Sequence, residues 1–200
     1  MTGAPGGPQD GDEPGLYRGL DELTAEQVAA RLSLERHREG GFFRETYRSA
    51  QTVETEQGPR PLCTVILYLL TADNPSRFHR LRSDEAWFYH AGTPAEIVLL
   101  AKDAGGVRPT VIGTDNPQAL VPAACWMGAR VVGEEQADWG EGRAPERRWT
   151  PDRRANQEAR WTLVSCMVSP GFDYEDFELA GREGLLREFP QARRVIRALS

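Results

Sequence analysis

Short apolar segments that return about every ten residues constrain the fold of this chain more than any other feature. Turns rich in glycine, proline and asparagine separate them, as at residues 73–76, 104–106 and 114–117. This pattern predicts an all-β sandwich or barrel. The predicted strands lie within residues 42–49, 63–70, 76–92, 95–101, 108–112, 119–122 and 161–168.

Helices are predicted only near the two ends of the chain. Thr24 is a suitable N-cap and Gln27 completes a capping box three residues later, so a short helix should begin there. Residues 185–186 and 190–199 should form helical turns, because Pro190 suits the first turn of a helix.

The length of 200 residues indicates one domain, which we place at residues 21–200. Residues 1–20 begin with a stretch rich in glycine, proline and aspartate and are predicted to be a disordered tail. A charged insertion is predicted at about residues 133–160, where seven acids and six arginines show no strand alternation. Such a segment is expected to connect two strands, or to fold over the barrel mouth.

Charge and hydropathy exclude several classes of protein. A formal net charge of -6 argues against nonspecific nucleic-acid binding. No apolar run approaches the roughly 20 residues that cross a membrane, and the N-terminus lacks a signal-peptide pattern, so we expect a cytoplasmic protein.

The three cysteines are widely spaced within apolar runs, which predicts buried free thiols.

The segment 76–92 contains the strongest candidate for chemistry. It has the pattern of two strands joined by a tight turn, with His79 before the turn and Glu85 after it. If the two strands are antiparallel neighbours, both side chains can reach one spot. There they could share a metal, a proton or a substrate oxygen.

The same segment resembles the first part of the cupin signature. Glu85 and Gly92 fit its end, His79 takes the first histidine position, and Leu81 stands at the second. Four further blocks, at residues 35–45, 64–70, 120–127 and 169–179, occur in the order found in the cupin 5 group, the domain of unknown function numbered 985. The resemblance implies a cupin jelly-roll barrel and a homodimer, but no established reaction.

The cupin pattern also bears on metal binding. In the second cupin signature Met127 stands at the histidine position, so two of the four usual ligand positions have lost their ligands. His79 and Glu85 alone would make a weak transition-metal site, since stable sites use three or four protein ligands. His90 lies five residues after Glu85, so strand alternation puts it on the opposite face. We therefore predict no metal and no other cofactor.

Without a metal, His79 and Glu85 are predicted to act as a catalytic acid-base pair. A glutamate beside a neutral histidine in a semi-apolar cavity can have a pKa shifted toward neutrality, which suits proton transfer. The structural alternative is that the two side chains simply hydrogen-bond to each other inside the barrel.

Five other residues are predicted to bind the substrate. Arg44 and Arg77 are candidate anchors for an anionic group. Trp87 and Tyr89 share the face of Glu85 by alternation and could form a stacking wall, which Trp126 would close. The alternatives are ordinary core positions for the aromatic residues and a surface ion pair for Arg44.

Two classes of function fit these residues best. The first is a metal-independent acid-base enzyme, of isomerase, epimerase or lyase type, acting on a small polar or sugar-like metabolite. The second is a noncatalytic barrel that binds a small ligand, and both classes need a polar and aromatic cavity. A metal-dependent cupin enzyme ranks third, because Met127 counts against it.

Overall fold

The computed structural model describes residues 19–102, 106–133 and 160–200. These ranges contain three α-helices, α1 (Ala25–Arg31), α2 (Arg182–Glu188) and α3 (Arg193–Ala198). The strands are β1 (Glu35–Arg36), β2 (Phe42–Arg48), β3 (Thr52–Thr55), β4 (Gly58–Pro61), β5 (Thr64–Thr71), β6 (Ser76–Leu81), β7 (Asp84–Gly92), β8 (Ala95–Leu100), β9 (Val107–Ile112), β10 (Gln118–Val121), β11 (Trp126–Val131), β12 (Trp161–Ser169) and β13 (Phe177–Leu179).

The strands form two antiparallel sheets. The larger sheet has the order β1-β2-β5-β12-β7-β10 and the smaller has the order β13-β6-β11-β8-β9, while β3 and β4 pair as a separate hairpin. Tyr68 and Trp87 of the larger sheet share one buried core with Ile97 and Met127 of the smaller sheet. The core therefore lies between the sheets, and the predicted all-β jelly roll with short terminal helices is confirmed.

Helix α1 packs on the outer face of the larger sheet. Thr24 and Gln27 form the predicted capping box at its start. Val28 and Leu32 pack with Leu69 and Leu163, whose side chains point away from the barrel interior. This outer layer explains why β5 is a nearly continuous apolar run, since its central residues are buried on both faces.

The C-terminal helices cover the smaller sheet in the same way. Val195 and Ile196 of α3 pack with Phe78 and Val98. Pro190 opens a short 3-10 turn, Pro190–Ala192, so the helix predicted over residues 190–199 is divided in two.

Some predictions fall on residues that the structure does not describe. The predicted tail, apart from its last two residues, and the charged insertion, apart from Gly133 and Arg160, lie outside the described residues. Over the ranges that are described, no helix has the length and apolar character needed to cross a membrane.

Candidate active site

The hairpin predicted from residues 76–92 is in fact a link between the two sheets. Strand β6 belongs to the smaller sheet and β7 to the larger sheet, and the two do not pair with each other in either described sheet. The prediction that they are antiparallel neighbours is therefore wrong. Arg82 and Ser83 turn the chain from one sheet to the other, so His79 and Glu85 approach the interior from opposite walls.

Both residues line a cavity of about 200 Å³ inside the barrel. Its buried part contains two acids, a histidine and a thiol, which are Glu39, Glu85, His79 and Cys166. The more exposed part is lined by Phe43, Glu45, Arg48, Phe172, Asp173 and Tyr174. The cavity is therefore polar at its buried end and mixed aromatic and charged at its mouth.

Glu39 reaches the buried end from the turn between β1 and β2. Its Oε1 atom accepts a 2.9 Å hydrogen bond from the hydroxyl of Ser76. The following Gly40 has φ 124°, and a Cβ atom there would lie 2.0 Å from the carbonyl oxygen of Pro75. The turn therefore requires glycine at this position to bring Glu39 against strand β6.

The Oε2 atom of Glu39 lies between two imidazole rings, 3.3 Å from Nε2 of His79 and 3.5 Å from Nδ1 of His37. Nδ1 of His79 lies 2.8 Å from the carbonyl oxygen of Arg77, so that nitrogen must carry a proton. A neutral His79 therefore presents an unprotonated Nε2 to Glu39. Likewise, Nδ1 of His37 accepts the backbone N–H of Glu39 at 3.4 Å.

This arrangement requires an additional proton. An ionised Glu39 would face two acceptor nitrogens, which is unfavourable without a hydrogen between them. Burial raises the pKa of Glu39, while His37 opposes that effect, and burial lowers the pKa of both histidines. We therefore assign one shared proton to the line between Glu39 Oε2 and His79 Nε2.

Glu85 is the second acid at the buried end and is 7% exposed. Its Oε2 atom is buried with no hydrogen-bond partner among the described residues. Burial raises the pKa of Glu85 to about 7 and the nearby Glu39 adds to this shift, while His79 and the neighbouring side chains of Trp87 and Cys166 oppose it. The carboxyl group can therefore gain or lose a proton near neutral pH.

The mouth of the cavity combines aromatic rings with an ion pair. Phe172 and Tyr174 form an edge-to-face contact with centroids 5.0 Å apart. Arg48 donates from Nε and Nη2 to the two carboxylate oxygens of Glu45, at 2.9 and 2.7 Å. The guanidinium of Arg38 stacks over Tyr174, with Cζ 4.2 Å from the ring centroid.

A buried ion pair holds the loop that carries these aromatic rings. Arg60 of β4 donates from Nε to Asp176 Oδ2 at 2.7 Å, and its Nη2 reaches Glu175 at 3.3 Å. Both side chains of the Arg60–Asp176 pair are less than a tenth exposed. The β3–β4 hairpin thereby fixes residues 172–177 against the barrel.

With this geometry in place, comparison with known proteins identifies the family. The family model Cupin_5, described as Cupin superfamily (DUF985), matches residues 26–180. The chain belongs to this family. The uncharacterized protein YML079W of Saccharomyces cerevisiae is 30% identical over 170 residues, covering 76% of this chain and 73% of the relative.

Two solved structures are similar over nearly their whole length. A hypothetical protein from Leishmania major is 35% identical, with a TM-score of 0.71, covering 89% of this chain and 99% of that one. Protein SO0799 from Shewanella oneidensis is 33% identical, with a TM-score of 0.70, covering 89% and 98%. These likenesses support the same cupin barrel but assign no reaction to this chain.

The residues at the signature positions do not fit the metal centre found in many cupins. Leu81 lines the cavity, and Met127 is 1% exposed in the core, directly opposite His79 in the strand pairing. Thioether and alkyl groups here replace the imidazoles that borderline transition metals such as Zn, Fe and Ni bind well. In the described part of the chain, no group of three or more His, Cys, Asp or Glu side chains is arranged to hold a metal ion.

The cavity includes the predicted pair His79 and Glu85, but none of the five predicted substrate-binding residues is among the described residues that line it. Arg44 donates from Nε to the carbonyl oxygen of Leu32 at 2.8 Å, on the outer face of the sheet. Arg77 donates to the backbone carbonyls of Arg38 and Glu39 and so holds the turn between β1 and β2.

The three aromatic residues also pack elsewhere. Trp87 is fully buried in the barrel core, in edge contact with Tyr68. Tyr89 packs at the edge of the same core and donates its hydroxyl to the carbonyl of Gly92. Trp126 lies on the outer side of the smaller sheet, where Arg80 stacks on its ring at 4.4 Å.

Glu39 and the aromatic residues at the mouth were not predicted as site residues. One signal was present for Glu39, because an acid directly before two glycines can sit in a turn that approaches other backbone closely. For Phe172 and Tyr174 the signal was the acidic and aromatic block after Pro170-Gly171.

Proposed function

We propose that this protein is a metal-independent acid-base enzyme that transfers protons on a small polar metabolite. The observation that carries the proposal is the carboxyl group of Glu85, which is buried in the cavity with an unpartnered oxygen and a pKa near 7. An unsatisfied buried carboxyl costs stability, so it invites a functional explanation. A pKa near the working pH is what a general base requires.

The proposed step divides the proton transfer between two groups. Ionised Glu85 takes a proton from a carbon next to a carbonyl group of the substrate. The shared proton of Glu39 and His79 passes to the carbonyl oxygen, which leaves a neutral enol and an ionised Glu39. Glu85 then returns its proton to the neighbouring carbon, or to the other face of the same carbon after the enol has turned over in the cavity. At the same time an enol hydroxyl group gives its proton back to Glu39, which restores the shared proton and forms the carbonyl group of the product. The result is an isomerisation or an epimerisation without an oxidant or reductant.

The dimensions of the cavity support a small substrate. Its volume of about 200 Å³ is below the roughly 300–1,000 Å³ of pockets that hold drug-sized ligands. The three cysteines are free among the described residues, but only Cys166 is buried as predicted, while Cys63 and Cys125 are half-buried. Free thiols agree with the proposed cytoplasmic location, where thiols stay reduced.

Exchange of carbon-bound protons in deuterium oxide tests the proposal without knowledge of the natural substrate. The probes are hydroxyacetone, aminoacetone, glucose and glucosamine. Loss of their carbon-bound proton signals is followed by proton NMR. The wild-type protein should catalyse exchange on at least one probe, and Glu85→Gln should lower that rate by about 100-fold or more, because general acid-base catalysis contributes roughly 10²–10⁴-fold. The matched control is Glu178→Gln, because Glu178 is an acid that pairs with Arg80 outside the cavity.

A noncatalytic ligand-binding barrel is the second candidate, and the aromatic mouth formed by Phe172 and Tyr174 favours it. The two functions give different results with Glu85→Gln. If ligand binds to both proteins and neither catalyses exchange on any probe, the barrel is a binding protein and the enzyme proposal is wrong.

A further inference from the structure

We propose that the ligand of this cavity carries a positive charge, as a small amine or quaternary ammonium compound, and is not a phosphate or carboxylate. This inference rests on the proposed function only for the location of the binding site. It reverses the anionic substrate that Arg44 and Arg77 predicted from the sequence.

The charges at the mouth disfavour an anion. Arg48 is the only arginine or lysine among the described residues that line the cavity. Its guanidinium is already bound in two places by Glu45, and a third donor reaches the carbonyl oxygen of Phe172 at 3.3 Å. Asp173 is a second carboxylate at the mouth, so two acids and one arginine are the charged groups among the described residues that line it.

The buried end supplies no net positive charge either. Burial lowers the pKa of His37 and His79, which keeps both rings neutral unless one shares the proton of Glu39. Glu39 and His79 with one proton between them are neutral as a pair. Glu85 then presents an unpartnered acceptor oxygen to whatever occupies the cavity.

Aromatic rings complete a surface suited to cations. Phe43, Tyr68, Phe172 and Tyr174 line the cavity beside the carboxylates. A ring face attracts a cation through its quadrupole, most strongly where water is excluded. Arg38 does not line the cavity, but its guanidinium already occupies one face of Tyr174, so Phe43, Tyr68 and Phe172 are the rings left for a ligand.

A matched pair of probes tests the charge preference. Choline carries a quaternary ammonium group, and 3,3-dimethyl-1-butanol has the same shape without the charge. Dissociation constants are measured by ligand-observed NMR titration on the wild-type protein. We expect choline to bind about tenfold more tightly than the neutral compound, as cation–π and carboxylate contacts in a partly desolvated site predict.

Glu45→Gln makes the test sharper because it removes the partner of Arg48 and leaves the guanidinium charge uncompensated. This variant should bind choline at least threefold more weakly than wild type and inorganic phosphate more tightly. Glu178→Gln removes a similar exposed acid from the Arg80 pair outside the cavity and should leave both affinities unchanged.

The inference is wrong if the neutral compound binds within threefold of choline, if phosphate binds wild type more tightly than choline, or if choline shows no binding at all. Its failure is separable from failure of the enzyme proposal, because it is measured by binding alone. A preference for choline without proton exchange would end only the enzyme proposal. Exchange on glucose without a preference for choline would end only this inference.

Discussion

Replacing Glu85 with glutamine should make the protein more stable above neutral pH and leave its stability unchanged in mild acid. The carboxyl has an ordinary pKa of 4.5 and a folded-state pKa of about 7. Between these values the unfolded chain has lost the proton while the folded protein still holds it. The free energy of unfolding of the wild type therefore falls as pH rises through this window.

The magnitude follows from the two pKa values. Their difference corresponds to about 3 kcal/mol of stability, lost progressively between pH 4.5 and 7 and fully absent above it. Glutamine keeps the shape of the side chain but never carries the buried charge. The difference in unfolding free energy between variant and wild type should therefore grow from about zero at pH 4.5 to about 3 kcal/mol at pH 8 in favour of the variant.

Equilibrium unfolding in urea at pH 4.5, 5.5, 6.5 and 8 measures this difference directly. Titrating groups far from Glu85 are present in both proteins and cancel in the subtraction, whereas Glu39 and His79 interact with Glu85 and contribute to the measured difference. Glu178→Gln, which removes an exposed acid, should show no such growth with pH. A difference for Glu85→Gln that stays constant across the series would refute a pKa near 7 and, with it, the role of Glu85 as a base.

Three further outcomes follow from the structure. Elemental analysis after purification without chelators should find no stoichiometric Zn, Fe, Mn or Ni, because Leu81 and Met127 occupy two signature positions; about one metal per chain would contradict this. We propose a homodimer, because edge strand β10 exposes Leu120, which is 62% accessible, and a second copy would cover this edge. Light scattering at micromolar concentration should give the mass of the dimer, and a monomer mass would count against it. Gly40→Ala should lower the denaturation midpoint far more than Gly58→Ala, since both have positive φ but a Cβ atom meets the Pro75 carbonyl only at Gly40; equal losses would show that the turn can adjust.

Much of the barrel could be predicted because its strands have local signatures. Residues 63–70 and 161–168 are apolar runs of strand length, and both match real strands closely. Strand β11 was not predicted, although Trp126–Val131 is almost entirely buried. Its glycine and arginine interrupt the apolar pattern. Gly128 fits in the strand because a Cβ atom there would lie very close to the side chains of Leu199 and Phe78, a contact that only the folded structure shows.

The site was predictable only in part, because tertiary structure decides which side chains meet. Strand alternation correctly put Glu85 and Trp87 toward the interior, but it could not separate a cavity position from a filled core position. It also could not show that β6 and β7 lie in different sheets. Glu39 reaches the cavity from a turn 40 residues before His79 in the chain, a pairing that no local pattern encodes.

The Arg60–Asp176 pair makes the width of the cavity entrance depend on a part of the chain that does not border it. The hairpin of β3 and β4 contributes no residue to the described lining, yet Phe172, Asp173 and Tyr174 sit in the loop that it anchors. If this hairpin shifts, either Asp176 moves with Arg60 or their buried ion pair separates, and separation would leave two buried charges unpaired at a large cost in free energy. Substitutions in the hairpin can therefore change which molecules enter the barrel while every residue in contact with them stays the same.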